Sequence, residues 1–125
     1  MKKVVKFGGS SLASAEQFQK VGEIIRADES RVYVVPSAPG KRFSDDTKVT
    51  DMLLHAYDLA SQGKDIAEQM AAIKARYMEI IEGLHLENFS LDEDFAIIEE
   101  QLRNDPQKDY TASRGEYLNL SLIHI

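Results

Sequence analysis

The segment Lys6-Phe7-Gly8-Gly9-Ser10-Ser11 places a cation, two glycines and two hydroxyl groups next to one another. Glycines let backbone N–H groups approach an anion closely, because no Cβ lies in the way. A helix predicted to open at Ser14 would add the partial positive charge of its N-terminus. These features suit a polyphosphate, although the spacing matches neither a Walker A loop nor a G-x-G-x-x-G loop. The alternative is a tight turn beside a solvated lysine.

Three other segments carry polar groups that could contact a ligand. Ser37-Ala38-Pro39-Gly40-Lys41 follows a second predicted strand, and ligands of open parallel sheets bind at the carboxyl ends of strands. Taken alone, this segment could also be a simple Pro/Gly turn. Thr47-Lys48-Val49-Thr50-Asp51 lies at a predicted helix start, where a threonine or aspartate usually serves as a cap. Ser113-Arg114-Gly115-Glu116 lies in a predicted helix, where a glutamate is usually solvated.

The first two segments would be positioned by a strand–helix–strand unit. Residues 2–7 are short and β-branched and end at two glycines, which predicts a strand. Ser14, followed by Gln17, predicts a capped helix start, and residues 31–35 predict a second strand that Pro36 ends. Two strands joined by a helix of about a dozen residues should be parallel, with a right-handed crossover.

The rest of the chain has helical periodicity. Apolar residues recur at steps of three and four from Ile66 to Leu84, which predicts a long amphipathic helix. Gly63 is predicted to end the helix before it, and Ser90 with Glu93 to form a capping box for the helix after it. The predicted helices cover residues 49–62, 66–84 and 90–105, and a region from about Lys108 past Tyr117.

Composition excludes several functional classes. The 125 residues correspond to one domain, and the absence of cysteine excludes disulfides, thiolate metal sites and cysteine nucleophiles. The charge of −6, from 15 basic and 21 acidic residues, makes nucleic acid an unsuitable partner. No apolar run reaches the ~18 residues of a membrane span, so we predict a cytoplasmic protein without membrane contact. The three histidines lie too far apart for a zinc or iron site.

Together, four motifs resemble the aspartate kinases (aspartokinases) of the amino-acid kinase family. Lys6-Phe7-Gly8-Gly9-Ser10-Ser11 resembles their opening motif, and Val34-Val35-Pro36-Ser37-Ala38 the end of their second strand. Lys48-Val49-Thr50-Asp51-Met52-Leu53-Leu54 is similar to their Thr-Asp/Asn-Leu helix start. Ser113-Arg114-Gly115-Glu116-Tyr117-Leu118 is similar to their Ser-x-Gly-Glu-x-Leu segment. Each motif is weak alone, but their order and spacing agree over residues 2–119, with Pro36 as an unusual residue.

The resemblance implies transfer of the ATP γ-phosphoryl group to the β-carboxylate of L-aspartate, the first step toward lysine, threonine and methionine. It implies that ATP phosphates are held by the segment from Lys6 to Ser10, namely Lys6, Phe7, Gly8, Gly9 and Ser10, with Lys6 as the catalytic residue. Ser37, Thr50 and Glu116 would face the aspartate, with Glu116 near its ammonium group. Mg²⁺ would arrive with the nucleotide, and no residue is assigned as a metal ligand.

The resemblance also implies a three-layer αβα (carbamate kinase-like) fold, of which residues 1–125 form the N-terminal part. We expect a break near Asn119, because the last six residues leave the family pattern, and we expect this piece alone to be inactive. The longer protein would be a homo-oligomer. Two alternatives remain: a family member acting on glutamate, acetylglutamate or a nucleotide, and a non-catalytic helical interaction module built on the 66–84 stripe.

Overall fold

Two parallel strands form the sheet in the computed structural model, which describes residues 1–87 and 89–123. Strand β1 (Lys3–Phe7) pairs in parallel with β2 (Arg31–Pro36), and helix α1 (Ala15–Arg26) connects them. Phe7 lies opposite Pro36 at the carboxyl end of the pair. The predicted parallel strand–helix–strand unit is therefore confirmed, and both predicted loops leave the same sheet edge.

The connection from β1 to α1 is compact. A short 3₁₀ helix, Gly9–Leu12, follows β1, and Leu12 is fully buried. Ser14 is the N-cap of α1, where its Oγ accepts a hydrogen bond from the Gln17 backbone N–H at 3.4 Å. The predicted cap is confirmed, and it fixes where the chain turns from the glycine segment into the helix.

Four helices follow the second strand: α2 (Val49–Ser61), α3 (Ala67–Gly83), α4 (Asp92–Asn104) and α5 (Lys108–Ile123). Gly63 ends α2 as predicted, with φ of 72° and a hydrogen bond from the Lys64 N–H to the Leu59 carbonyl oxygen at 2.9 Å. Helix α5 continues through Asn119 to Ile123, while His124 and Ile125 lie outside the described residues, and the predicted sequence junction near Asn119 stays a prediction.

The capping box predicted at Ser90 is wrong. The N-cap of α4 is Leu91, and no side chain caps this helix. Ser90 Oγ instead accepts a hydrogen bond from the Asp92 N–H at 3.1 Å, which closes a local turn before the helix. Leu91 is buried in the core, so apolar burial sets the first helical turn one residue later than the polar motif predicts.

The core lies between the helices and one face of the sheet. The predicted apolar stripe of α3 is buried throughout its centre, at Met70, Ile73, Tyr77, Ile80 and Ile81. The stripe is therefore core, which removes the main support for a helical interaction module. The other face of the sheet exposes Val4, Tyr33 and Val35. No helix in residues 1–87 or 89–123 combines the length and apolar character needed to cross a bilayer.

Candidate functional site

A cavity of about 500 Å³ opens at the carboxyl ends of the two strands. It is bordered by the 3₁₀ helix, the segment after β2, the start of α2 and the middle of α5. Its lining residues are Gly9, Ser10, Ser37, Ala38, Pro39, Gly40, Lys41, Lys48, Thr50 and Glu116. The four segments that the sequence analysis selected therefore border one cavity, although they lie far apart in the sequence.

Backbone hydrogen bonds connect the segments that border the cavity. The Ser37 N–H donates to the Phe7 carbonyl oxygen at 3.0 Å, and the Gly40 N–H donates to the Gly9 carbonyl oxygen at 2.8 Å. The Val49 N–H, at the first residue of α2, donates to the Pro39 carbonyl oxygen at 3.0 Å. The cavity is consequently formed by a bonded framework rather than by independent loops.

Two glycines allow the walls of the cavity to approach each other. A Cβ on Gly40 would lie 2.6 Å from the Gly9 carbonyl carbon and 2.8 Å from the Ser10 nitrogen. A Cβ on Gly115 would lie 2.4 Å from the Cβ of Ala38. Any larger residue at either position must displace a cavity wall, so both glycines are explained by close packing.

Two lysines supply positive charge at the border of the cavity. Lys41 and Lys48 both border it, and Lys48 is the N-cap of α2 without a side-chain capping bond. The unsatisfied N–H groups and dipole of this helix end also favour an anion. The expectation that Thr47, Thr50 or Asp51 caps the helix is wrong, and Thr50 instead borders the cavity.

Glu116 supplies negative charge to the same cavity. Its Oε2 is buried and has no hydrogen-bond partner among the residues that the structure describes. The preceding residue is held in place, because the buried Tyr77 hydroxyl donates to the Gly115 carbonyl oxygen at 3.1 Å. Burial, and secondly the Glu116 carboxylate, raise the pKa of Tyr77 well above its ordinary value. Glu116 is therefore not the solvated mid-helix glutamate that general helix statistics suggest.

Ser37 is held by a side chain of α5. The buried Asn119 side chain donates from Nδ2 to the Ser37 carbonyl oxygen at 2.6 Å, across 82 positions of sequence. This bond ties α5, which carries Glu116, to the strand end that carries Ser37. A direct contact thus connects the segments of Ser37 and Glu116, two of the three residues predicted to face the aspartate.

The structure separates the predicted phosphate-binding residues into two groups. Gly9 and Ser10 border the cavity, whereas Lys6, Phe7 and Gly8 do not. The Phe7 side chain belongs to the hydrophobic core, so only its backbone could face a ligand. The Lys6 side chain is exposed and forms no ion pair with any residue in the described ranges 1–87 and 89–123.

Lys41 and Lys48 belong to two of the sequence motifs, but no function was predicted for either lysine. A lysine close to glycines or at a helix start is common on surfaces, so its residue type alone is a weak signal. The stronger signal is their position, because Lys41 and Lys48 lie at the two ends of one loop. If the motifs that contain these two lysines border one site, the two ends of the loop must lie close together.

Comparisons with known proteins identify the family of the chain. The sequence model of the Amino acid kinase family matches residues 1–124. Aspartokinase 3 of Bacillus subtilis is 40% identical over 126 residues, which cover 97% of this chain. The chain spans only 28% of the length of that relative.

Solved structures give the same result for the fold. The aspartate kinase of Clostridium acetobutylicum superposes with a TM-score of 0.90 at 40% identity, covering 96% of this chain and 27% of its own. Aspartokinase III of E. coli, solved in complex with aspartate and ADP, superposes with a TM-score of 0.72. At 21% identity, over 98% of this chain and 28% of its own, the second similarity concerns the fold alone.

Proposed function

The chain belongs to the amino acid kinase family, and we propose that it forms the aspartate-binding side and part of the phosphate-binding site of an ATP-dependent aspartate kinase. In this reaction a β-carboxylate oxygen of L-aspartate forms a bond to the γ-phosphorus of ATP. The bond between that phosphorus and the leaving ADP oxygen breaks, so the products are 4-phospho-L-aspartate and ADP. Such transfers depend mainly on positioning and charge neutralisation.

The observation that carries the proposal is the charge distribution of the cavity. Glu116 borders the cavity and has a carboxylate oxygen without a partner among the described residues, and Lys41 and Lys48 border the same cavity. L-aspartate carries one ammonium and two carboxylate groups, so it complements this arrangement. Charged groups removed from water need partners of opposite charge, and this ligand would supply them.

We assign the hydroxyl-bearing residues to the substrate. Ser37 and Thr50 border the cavity and can donate hydrogen bonds to carboxylate oxygens, while Glu116 accepts from the ammonium group. Thr50 lies in the first turn of α2. Ser37 directly follows β2, and its backbone is held by hydrogen bonds to the Phe7 carbonyl oxygen and from the Asn119 side chain. Rigid placement supports a transfer in which small displacements are costly.

The nucleotide phosphates are assigned to the segment Lys6–Ser10. Gly9 and Ser10 reach the cavity, with Gly8 preceding them in an extended conformation and Phe7 anchoring the segment in the core. Backbone N–H groups beside glycine, a hydroxyl and nearby lysines fit a polyphosphate. Mg²⁺, carried by the nucleotide, would neutralise phosphate oxygens, and Lys6 would approach the same phosphates when the nucleotide is bound.

The wider setting stays a prediction. We propose that residues 1–125 contribute the N-terminal part of a catalytic domain and that the longer protein is a homo-oligomer. Its place at the start of lysine, threonine and methionine synthesis follows from the resemblance alone, and its cytoplasmic location is likewise a prediction from sequence.

The proposal is tested by exchanging the equivalent segment of Bacillus subtilis aspartokinase 3 for this chain. The folded chimera should convert L-aspartate and ATP to an acyl phosphate, which hydroxylamine traps as a hydroxamate. Glu116→Gln should abolish most of this product, and the exposed Glu82→Gln should leave it unchanged. Preference for L-glutamate over L-aspartate would favour the other family members, and a folded chimera without hydroxamate would contradict the proposal.

A further inference from the structure

Helix α3 carries one buried cation within its otherwise apolar stripe. The Arg76 side chain is only 5% exposed and lies next to Tyr77 in the centre of the helix. Burying a guanidinium group is costly, and in α3 an apolar residue of similar size would serve core packing as well or better. Burial accordingly lowers the pKa of Arg76. A cation at this position therefore requires an explanation other than packing.

The contacts of Arg76 converge on the two ends of one loop. Its Nη2 donates to the Gly40 carbonyl oxygen at 2.8 Å, and its Nη1 donates to the Thr47 carbonyl oxygen at 2.7 Å. Nη1 also lies 3.6 Å from Oδ2 of Asp46. One guanidinium group thus closes the neck of the loop formed by residues 41–46.

The outer part of the loop is closed by a second arginine. Arg42 donates to the Asp46 carboxylate at 2.7 Å and to the Glu79 carboxylate of α3 at 2.7 Å. Arg42 and Glu79 are 28% and 59% exposed, and an ion pair this close to solvent contributes little, whereas Asp46 is 9% exposed and also faces Arg76. The buried clamp at Arg76 is therefore the stronger constraint on the neck.

The neck and the cavity share their residues. Lys41 follows Gly40, Lys48 follows Thr47, and both lysines border the cavity. Gly40 also donates to the Gly9 carbonyl oxygen at 2.8 Å, so its position affects the phosphate-side segment. A change at the neck would consequently move cations and backbone on two sides of the site.

We propose that Arg76 is a positioning residue for substrate binding, which acts by holding the Gly40 and Thr47 carbonyl groups and thereby the placement of Lys41 and Lys48. The proposal rests on the assignment of the cavity to L-aspartate. Arg76 does not contact the substrate in this account. A lysine cannot replace it, because a single ammonium on a shorter stem lacks the two-pronged geometry that spans both carbonyl oxygens.

The test measures L-aspartate affinity and backbone hydrogen exchange in the complete 125-residue chain by NMR. Arg76→Met and Arg76→Lys should each weaken L-aspartate binding by at least about tenfold, the scale of one lost charge-assisted hydrogen bond. The amides of Gly40 and Val49 should also exchange faster, because their bonds to Gly9 and Pro39 lie beside the neck. All titrations are made well below the unfolding midpoint of each variant.

Two control variants separate positioning from stability. Arg103→Met removes an exposed arginine from α4, and Ile73→Val removes a buried methylene group from α3 without touching the loop. Both controls should keep the wild-type affinity, and Ile73→Val should do so although it lowers the unfolding midpoint. If Ile73→Val weakened binding as much as Arg76→Met, the effect would be one of general stability and the proposal would be wrong.

The remaining outcomes are also decisive. The proposal would be overturned if folded Arg76→Met protein kept the wild-type L-aspartate affinity and the wild-type amide exchange rates. If Arg76→Met does not fold, the same result in Arg76→Lys would overturn the proposal. If the wild-type chain does not bind L-aspartate at all, the proposed function fails and so does the substrate half of this inference. Hydrogen exchange would then still decide whether Arg76 holds the loop.

Discussion

Gly40 is the residue at which two walls of the cavity come closest. Gly40→Ala should lower the free energy of unfolding by about 1–3 kcal/mol, because the new Cβ overlaps backbone atoms of Gly9 and Ser10. Gly8→Ala is the matched control, since a Cβ there meets nothing within 4 Å and the backbone is extended. Urea denaturation of both variants gives the comparison, and equal stability losses would show that the close approach is not needed.

Lys6 is the residue on which the phosphate side depends most. In the chimeric enzyme, Lys6→Ala should lower kcat by on the order of 10²-fold or more, as expected when one preorganised charge stabiliser is lost. Folding should survive because the Lys6 side chain is exposed. Lys6→Arg should restore little activity, because a planar fork replaces a compact ammonium group.

Steady-state kinetics and circular dichroism check this prediction, with Lys2→Ala as the control for loss of an exposed lysine from the same end of the chain. Near-normal kcat in folded Lys6→Ala enzyme would remove Lys6 from the catalytic residues. The glycine segment would then be a turn with no demonstrated role in transfer.

At the scale of single residues, local chemistry could be predicted and long-range contacts could not. Ser14 caps α1 as its sequence pattern indicates, because the partner N–H lies three residues away. Ser90 has the same pattern, but burial of Leu91 overrides it. Arg76 could not be assigned from sequence, since its carbonyl partners lie 29 and 36 residues away.

A hydrogen bond from the Tyr77 hydroxyl of α3 to the Gly115 carbonyl oxygen of α5 lies next to Glu116, and the buried Tyr77 should give stability a specific pH dependence. The pKa of Tyr77 is raised in the folded state, so above about pH 10 the unfolded chain loses a proton that the folded chain retains. Stability should therefore fall as pH rises through this range, by at most about 1.4 kcal/mol per pH unit.

Tyr77→Phe isolates this effect. The variant should lose about 1 kcal/mol at neutral pH, because the Gly115 carbonyl loses its hydrogen-bond donor. Its stability should decline less steeply than wild type between pH 9 and about 11, as measured by urea denaturation at each pH. Parallel pH profiles for the two proteins would contradict the role assigned to Tyr77.

Secondary structure was the most predictable feature of the molecule. The two strands, their parallel pairing and the helices follow from β-branched runs, glycine boundaries and three-to-four periodicity. Periodicity does not say which helix borders a site, and the meeting of α5 with the segment after β2 depends on the Gly115–Ala38 contact. The shape of the cavity therefore required tertiary structure.

For the molecule as a whole, we expect the 125-residue chain to bind L-aspartate without catalysing its phosphorylation. We expect the 125-residue chain alone to show no aspartate kinase turnover, because it spans 28% of its curated relative and displacement alone can cost orders of magnitude in rate. The hydroxamate assay on the purified chain, with the chimera as positive control, checks this. Product from the chain alone would show that these residues contain a complete catalytic site.

The central claim is that the cavity recognises L-aspartate through Glu116. The most direct test is a binding titration of the 125-residue chain with two ligands, L-aspartate and succinate. Succinate has both carboxylates but lacks the ammonium group that Glu116 is proposed to bind. Wild-type protein should prefer L-aspartate, and Glu116→Gln should weaken L-aspartate binding by at least about tenfold, as expected when one partner of a buried charge pair is removed. Succinate binding should not weaken, and Glu82→Gln should change neither ligand. Equal wild-type affinity for the two ligands, or unchanged L-aspartate affinity in folded Glu116→Gln protein, would contradict the account.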